Sequence, residues 1–432
     1  MPIELQLAAD TTVARGWKWL GARRRKWPDL QREIADEARR EPDPLLQKLI
    51  VVQGNDDRLY IGFHPAEEEA QFWPDDEDRL CFRARTNSAG PGYHAFLVRF
   101  LDRLAKRLDL QWRPQSAAAL ADSSGYFEHR DFGRLQTEMY SWLMNVAKSL
   151  LKMEKEGSHN FQLSWPLGAP SPCGSFFASS PIGEWDREFF LCLVEAKGAD
   201  LRQRLESYFP WWGIEPDARF FANLGLVYAR CKVPWHVPVN SHERGMYELM
   251  LDAYGRAAAL DSNFPLPTKE IAEAREMAAS TDRSRLPAAD GLGVHRRQVR
   301  MTLVGNWTID VPGYFYVSQE REGTIDVLSH GNRKIEITSL SANAKDGEPA
   351  PTEWLLESST PLPQEHRKHE HAGHVGVAYV SPIDSNKGGG FRLHGRMAKP
   401  GNLAMVTITF ADRADEAWAF ETWRSVFHRG EM

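Results

Sequence analysis

The chain has 432 residues, 42% of them apolar and 26% charged, with a formal net charge of −6 and an isoelectric point near 6.2. That length suits two or three globular cores, because a single core stops growing at roughly 250–300 residues. The acidic balance offers no global field for nucleic acid or anionic lipid, and no apolar run approaches the ~18 residues of a membrane span, so neither nucleic acid nor membrane is an expected partner.

The opening MPIELQLAADTT has no basic segment leading into an apolar one, which predicts a cytoplasmic protein. Ile3, Leu5 and Leu7 alternate with polar residues and predict a first strand. The basic run Arg23–Lys26, between Trp19 and Trp27, has the composition of a phosphate-binding arm but reads more simply as a solvated face. Pro28 at a first helical position opens a short charged helix. LLQKLIVVQ and RLYIGFH flank the turn-rich Gly54–Asp57 and read as an antiparallel pair, with RLCFRART from Arg79 to Thr86 as a third strand.

A helix is expected to cover this meander. Leu97, Leu101, Leu104 and Leu108 recur at helical spacing after Gly90-Pro91-Gly92. His94 falls in its first turn, where the positive helix end favours a neutral imidazole; an acid/base role and a structural role are both open. Glu128-His129-Arg130-Asp131 precedes a second long helix in which Leu135, Met139, Trp142, Leu143, Val146 and Leu150 fall at helical spacing, and Asp131 is read as its N-cap. Residues 157–183 are dense in Gly, Ser and Pro and read as a long loop holding Cys173. The four cysteines, Cys81, Cys173, Cys192 and Cys231, form no CxxC pair, which excludes zinc knuckles and thioredoxin-type motifs and fits free thiols in a reducing compartment.

Phe221, Leu224, Gly225 and Tyr228, followed by Tyr254, Ala257, Leu260, Asp261 and Asn263, stand at the spacing of a helix pair. This stretch, about 218–265, resembles one degenerate tetratricopeptide unit. Met250 stands where that family has a small alanine, Ser262 replaces a common proline, and the segment Cys231–Ser241, with Trp235 and His236, is inserted between the helices. Solenoids need about three such units to bury a continuous core. The pair is therefore read as a packing element, and the insertion as its cover.

A charged, Pro/Gly-containing stretch at 281–298 is read as a linker between a first domain, 1–280, with a largely helical second half (about 125–280), and a second domain, 299–432. Beyond it, period-two segments predict three strands, a short helix near Thr352–Glu357, three more strands and a closing helix in ADEAWAFETWRSVF. The fold class expected is α+β: an N-terminal antiparallel meander covered by helices, a central helical region and a separate C-terminal antiparallel α/β sandwich. That last module resembles the photosystem-II-extrinsic-protein type of sandwich, which adaptor chaperones of type VI secretion effectors also use. The resemblance implies a binding module.

One cluster has the composition for metal chemistry: His366, His369, His371 and His374 in EHRKHEHAGHVG. On a strand, His369 and His371 would share a face and could share a metal, with His374 as a further candidate ligand, although Arg367 and Lys368 make a solvated loop the simpler reading. Lys387-Gly388-Gly389-Gly390 is read as a hairpin tip. No residue is assigned as catalytic or cofactor-binding, and no cofactor is expected. The leading expectation is a non-enzymatic cytoplasmic protein-binding protein, namely a bacterial toxin-immunity protein or secretion-effector adaptor whose partner is a toxin or secreted effector. The alternative is a metal-dependent hydrolase using the His366–His374 cluster.

Overall fold

The computed structural model describes residues 3–13, 23–24, 26–115, 122–158, 161–163, 171–172, 177–195, 199–282, 285, 287–288, 290–320, 324–344, 347–357, 363–384 and 389–429. The protein is α+β and divides into two compact units. One comprises 1–169, 175–232 and 245–272; the other comprises 170–174, 233–244 and 273–432. The stretch 281–298 thus falls inside the second unit, as does most of the inserted segment 231–241.

In the first unit a six-stranded antiparallel sheet is assembled from β1 (Glu4–Ala9), β2 (Val51–Gly54), β3 (Leu59–Gly62), β4 (Ala70–Pro74), β5 (Leu80–Arg85) and β6 (Trp112–Pro114), in the order β2-β3-β4-β5-β1-β6. The meander has one strand more than its sequence predicts, because Ala70–Pro74 pairs with both neighbours. LLQKLIVVQ also divides. Asp43 accepts the Leu45 and Leu46 N–H groups at 2.8 and 3.2 Å, and Pro44 lies in the first turn, so Pro44–Leu49 is a helix before β2 begins.

Three helices are arranged as the sequence predicts, α1 (Trp27–Ala38), α3 (Pro91–Leu108) and α4 (Phe132–Lys155), and α2 (Pro44–Leu49) is the addition. Leu97, Leu101, Leu104 and Leu108 of α3 are all buried, and Phe100 packs on Phe63 and Phe72 of the sheet side, with ring centroids at 5.0 and 6.3 Å. The same unit holds α5 (Arg187–Glu195), α6 (Ala199–Tyr208) and α7 (Ala218–Val227), while α8 (Ser241–Leu260) begins after the insertion. A Cβ on Gly225 would meet the Tyr254 ring at 2.8 Å, so the missing side chain lets the α7 backbone approach α8. Met250 is fully buried, in keeping with a packing element.

The second unit contains the part of α9 (Thr268–Ala279) from Glu273 onward and two antiparallel sheets. Its strands are β7 (Gln298–Thr302), β8 (Trp307–Pro312), β9 (Tyr316–Glu320), β10 (Ile325–His330), β11 (Arg333–Ser341), β12 (Arg367–His371), β13 (His374–Pro382), β14 (Phe391–Lys399), β15 (Asn402–Phe410) and β16 (Phe427–His428). The larger sheet has the order β9-β10-β11-β15-β14-β13-β12; the smaller runs Ser171–Pro172, β7, β8, β16. Two helices, α10 (Thr352–Glu357) and α11 (Glu416–Arg424), cover opposite faces of the larger sheet. Val377 and Ala398 pack with Leu355 and Leu356 of α10, whereas Gly376 and Gly395 face Trp423 of α11.

That pair of glycines positions α11. A Cβ would come within 2.7 Å of the Trp423 indole from Gly376 and within 2.5 Å from Gly395. Trp423, itself fully buried, therefore sinks between strands to backbone depth and fixes the end of its helix against β13 and β14. The inserted segment packs too. Trp235 is buried with φ +56°, and the Arg296 guanidinium lies 3.5 Å over its ring while bonding both Glu273 oxygens at 2.8 and 2.9 Å.

Candidate functional site

The first unit's best sequence candidate is closed off. His94 and Asp122 are both buried, with His94 Nε2 3.1 Å from Asp122 Oδ2 and Nδ1 2.9 Å from Thr86 Oγ1. Asp122 also accepts Ser124 N–H and O–H at 2.8 and 2.7 Å and Phe127 N–H at 2.8 Å. Burial pushes the Asp122 carboxyl up, but these donors, led by His94, outweigh it and hold the group at about 2. The polar atoms are turned toward the protein, so the histidine, carboxylate and hydroxyl form a structural clasp between the end of β5, α3 and the segment before α4. Asp131 caps α4 by accepting Arg134 N–H at 3.0 Å, and Arg130 pairs with Asp102 at 2.7 Å. Cys81 and Cys231 are buried thiols that burial pushes up to about 11 and about 12. Cys173, Arg25 and Lys387-Gly388 lie outside the described residues.

The histidine cluster of the second unit has a different character. The stretch read as a solvated loop is the edge strand β12, in register with β13 from Arg367↔Ala378 to His371↔His374. Its neighbour Gly376, opposite His369, faces Trp423, so Arg367, His369 and His371 share the α11 face. Arg367 lies 3.9 Å over the Phe420 ring, and His369 meets Trp423 edge-on at 6.0 Å. The His369 and His371 rings are 6.3 Å apart between centroids and 22° from parallel.

The four histidines do not converge. His366 belongs to a cleft of about 550 Å³ at the Arg367 end of β12, with Tyr379, Val380, Phe391, Arg413, Glu416 and Phe420. His369, His371 and His374 line a second cleft, of about 270 Å³, with Arg300, Met397, Arg424, Ser425, Val426 and Phe427. His374 is fully committed to the fold. Its Nε2 accepts His428 N–H at 3.2 Å, which leaves the proton on Nδ1 for the Ala372 carbonyl at 3.0 Å. A neutral, doubly bonded imidazole has no lone pair to give a metal, so His374 leaves the candidate ligand set. Among the described residues no group of three or more His, Cys, Asp or Glu side chains is placed to hold a metal ion. The two imidazoles that do meet have an arginine beside them.

Arg424, the last residue of α11, is exposed, and among the described residues no carboxylate lies within 4 Å of its guanidinium. Arg300 of β7 holds Asp310 in two bonds, 2.7 and 2.6 Å. Burial lowers the proton affinity of His369, and Arg424 and His371 lower it further. Burial does the same to His374. In the larger cleft Glu416 is shared by Arg367 at 3.4 Å and Arg413 at 3.5 Å. Neither Arg300 nor Arg424 carries a local sequence signal: one lies next to the stretch read as a linker, the other at the end of a helix recognisable only by its tryptophans.

No family model matches the chain, and no curated protein does. A solved structure from Bacteroides thetaiotaomicron VPI-5482 is similar over 31% of this chain and 48% of that one, at 10% identity and a TM-score of 0.24. This chain spans less than half of that one, and a likeness at this level carries no argument. The tetratricopeptide-like and sandwich-like resemblances therefore rest on their quoted residues alone.

Proposed function

We propose that this is a non-enzymatic protein-binding protein whose second unit receives an extended segment of another protein along β12 and α11. The observation that carries the reading is the pair of clefts opening on one edge strand, at its two ends. The larger offers Tyr379, Val380, Phe391 and Phe420 to apolar side chains. The smaller offers Arg424 and two imidazoles to an acidic one. Strand β12 pairs with β13 only as far as Arg367↔Ala378, so Tyr379–Pro382 of β13 continues past its end beside the larger cleft. From Arg367 to His371 is about 13 Å at ~3.3 Å per residue, the reach of roughly five extended residues. Edge strands are a recurrent place for a partner's strand to add, with pockets reading alternate side chains. Lys368 and Glu370 on the strand's other face guard it against unselective pairing.

A bacterial toxin-immunity protein or secretion-effector adaptor is the finer form of this reading, since both work by holding one protein partner. A photocrosslinking amino acid at Glu365, in cells that make the protein natively, tests the binding reading. The expected product is one dominant crosslinked partner, joined through an extended segment that carries an acidic residue and lost when Arg413→Glu is added. Recovery of the chain without any crosslinked protein would sink the proposal. No helix among the described residues is long and apolar enough to cross a membrane.

A further inference from the structure

The smaller cleft has a chemistry of its own. His369 and His371 project from alternate residues of β12 onto one face, and Arg424 lies at the same cleft without a carboxylate within 4 Å among the described residues. Arg300 adds a second guanidinium, held in place by its fork on Asp310. A divalent cation would meet two ligands and at least one fixed positive charge, which opposes it by Coulomb repulsion in a half-buried site. An oxyanion meets donors, an N–H on each imidazole and a planar guanidinium that matches two oxygens at once, while the Asp310 carboxylate beside the cleft is already taken up by Arg300.

We infer that this cleft is an oxyanion-binding site, built by His369, His371 and Arg424 to take a phosphate or carboxylate group. It rests on the reading above in that the anion would be the acidic group of the bound segment, and the chemistry is the same for a free phosphate. The groups facing the imidazoles are Arg424 from α11, Arg300 with its Asp310 from β7 and β8, and His374 from β13, beside which stands Lys399 of β14. Burial, Arg424 and His371 disfavour a proton on His369. A bound anion reverses the electrostatic part, so binding takes up protons and tightens as pH falls through the histidine range.

The test follows the imidazole resonances of His369 and His371 in the full-length, isotope-labelled chain during titration with inorganic phosphate and, separately, with a five-residue glutamate-containing peptide. Both histidines are expected to titrate at higher pH in phosphate. Affinity should weaken about tenfold in Arg424→Gln, the loss expected of one charge-assisted hydrogen bond, and should fall as pH rises above the histidine range. Tighter binding of the peptide identifies a partner's side chain as the source, and equal or tighter binding of phosphate identifies the free anion. An absent response to both probes overturns the inference, as does stoichiometric zinc held by the pair in the wild-type chain. His371→Gln, with the fold verified by circular dichroism, separates a lost site from a lost structure. Phosphate binding without a crosslinked partner leaves the site standing and removes the partner; a crosslink that survives Arg424→Gln in a chain blind to phosphate does the reverse.

Discussion

The two units use histidine in opposite ways. In the first, His94 has no exposed surface and both ring nitrogens face protein partners, so its chemistry is spent inside the fold. In the second, His374 is spent in the same manner, but His369 and His371 stand on an edge strand at an open cleft beside Arg424. A histidine next to a carboxylate and a hydroxyl has the composition of a catalytic triad, and a histidine next to arginines does not. Accessibility reverses the ranking. A buried, fully bonded set can only stabilise, whereas a modest open set can meet a ligand.

The sharpest way to break this contrast is to disable the closed site. Asp122→Ala leaves His94 buried without its partner and strips acceptors from Ser124 and Phe127, so it should cost about 3–5 kcal/mol in urea unfolding. A loss under about 1 kcal/mol would mean that the clasp is not structural. Its pH dependence has a definite sign. The Asp122 carboxyl titrates at about 2 when folded, against 3.8 ordinarily, so its stabilisation is complete above pH 3.8 and is lost as pH falls through about 2.

A middle-sized effect should come from the seat of Trp423. Gly395→Val places atoms where the indole already stands within 2.5 Å of a Cβ. Displacing α11 should cost about 1–3 kcal/mol by thermal unfolding and should also weaken phosphate binding, because Arg424 moves with the helix. If stability falls while phosphate affinity is unchanged, Arg424 does not belong to the site. The smallest stability effect belongs to the open site: His371 is exposed, and His371→Gln should change unfolding free energy by less than about 0.5 kcal/mol. A large loss there would make His371 another structural histidine and erase the contrast.

Much of this was legible in local sequence. Leu97 to Leu108 announced α3, Asp131 the cap of α4, and Gly225 with Tyr254 a close helix pair, because periodicity and capping depend on neighbours within a few residues. Strand β12 was not legible. EHRKHEH has no apolar face to alternate, since an edge strand with charged groups on both sides buries little, and period-two analysis detects strands only through burial. The short helix at Pro44 was hidden for a related reason, its apolar run being too brief to distinguish a helical turn from a strand.

By itself the sequence determined the α+β class, most of the elements and the composition of the histidine cluster, all properties carried by residues close together along the chain. Only the tertiary structure decided which histidines are open and what stands beside them. His369 and His371 reach a common face through their strand register, His374 is withdrawn by a backbone N–H from His428, and Arg424 and Arg300 arrive from distant segments once Trp423 is seated between Gly376 and Gly395. Charge and accessibility are properties of the assembled surface, and so the proposed reading of the cluster is an anion site in place of both the solvated loop and the metal.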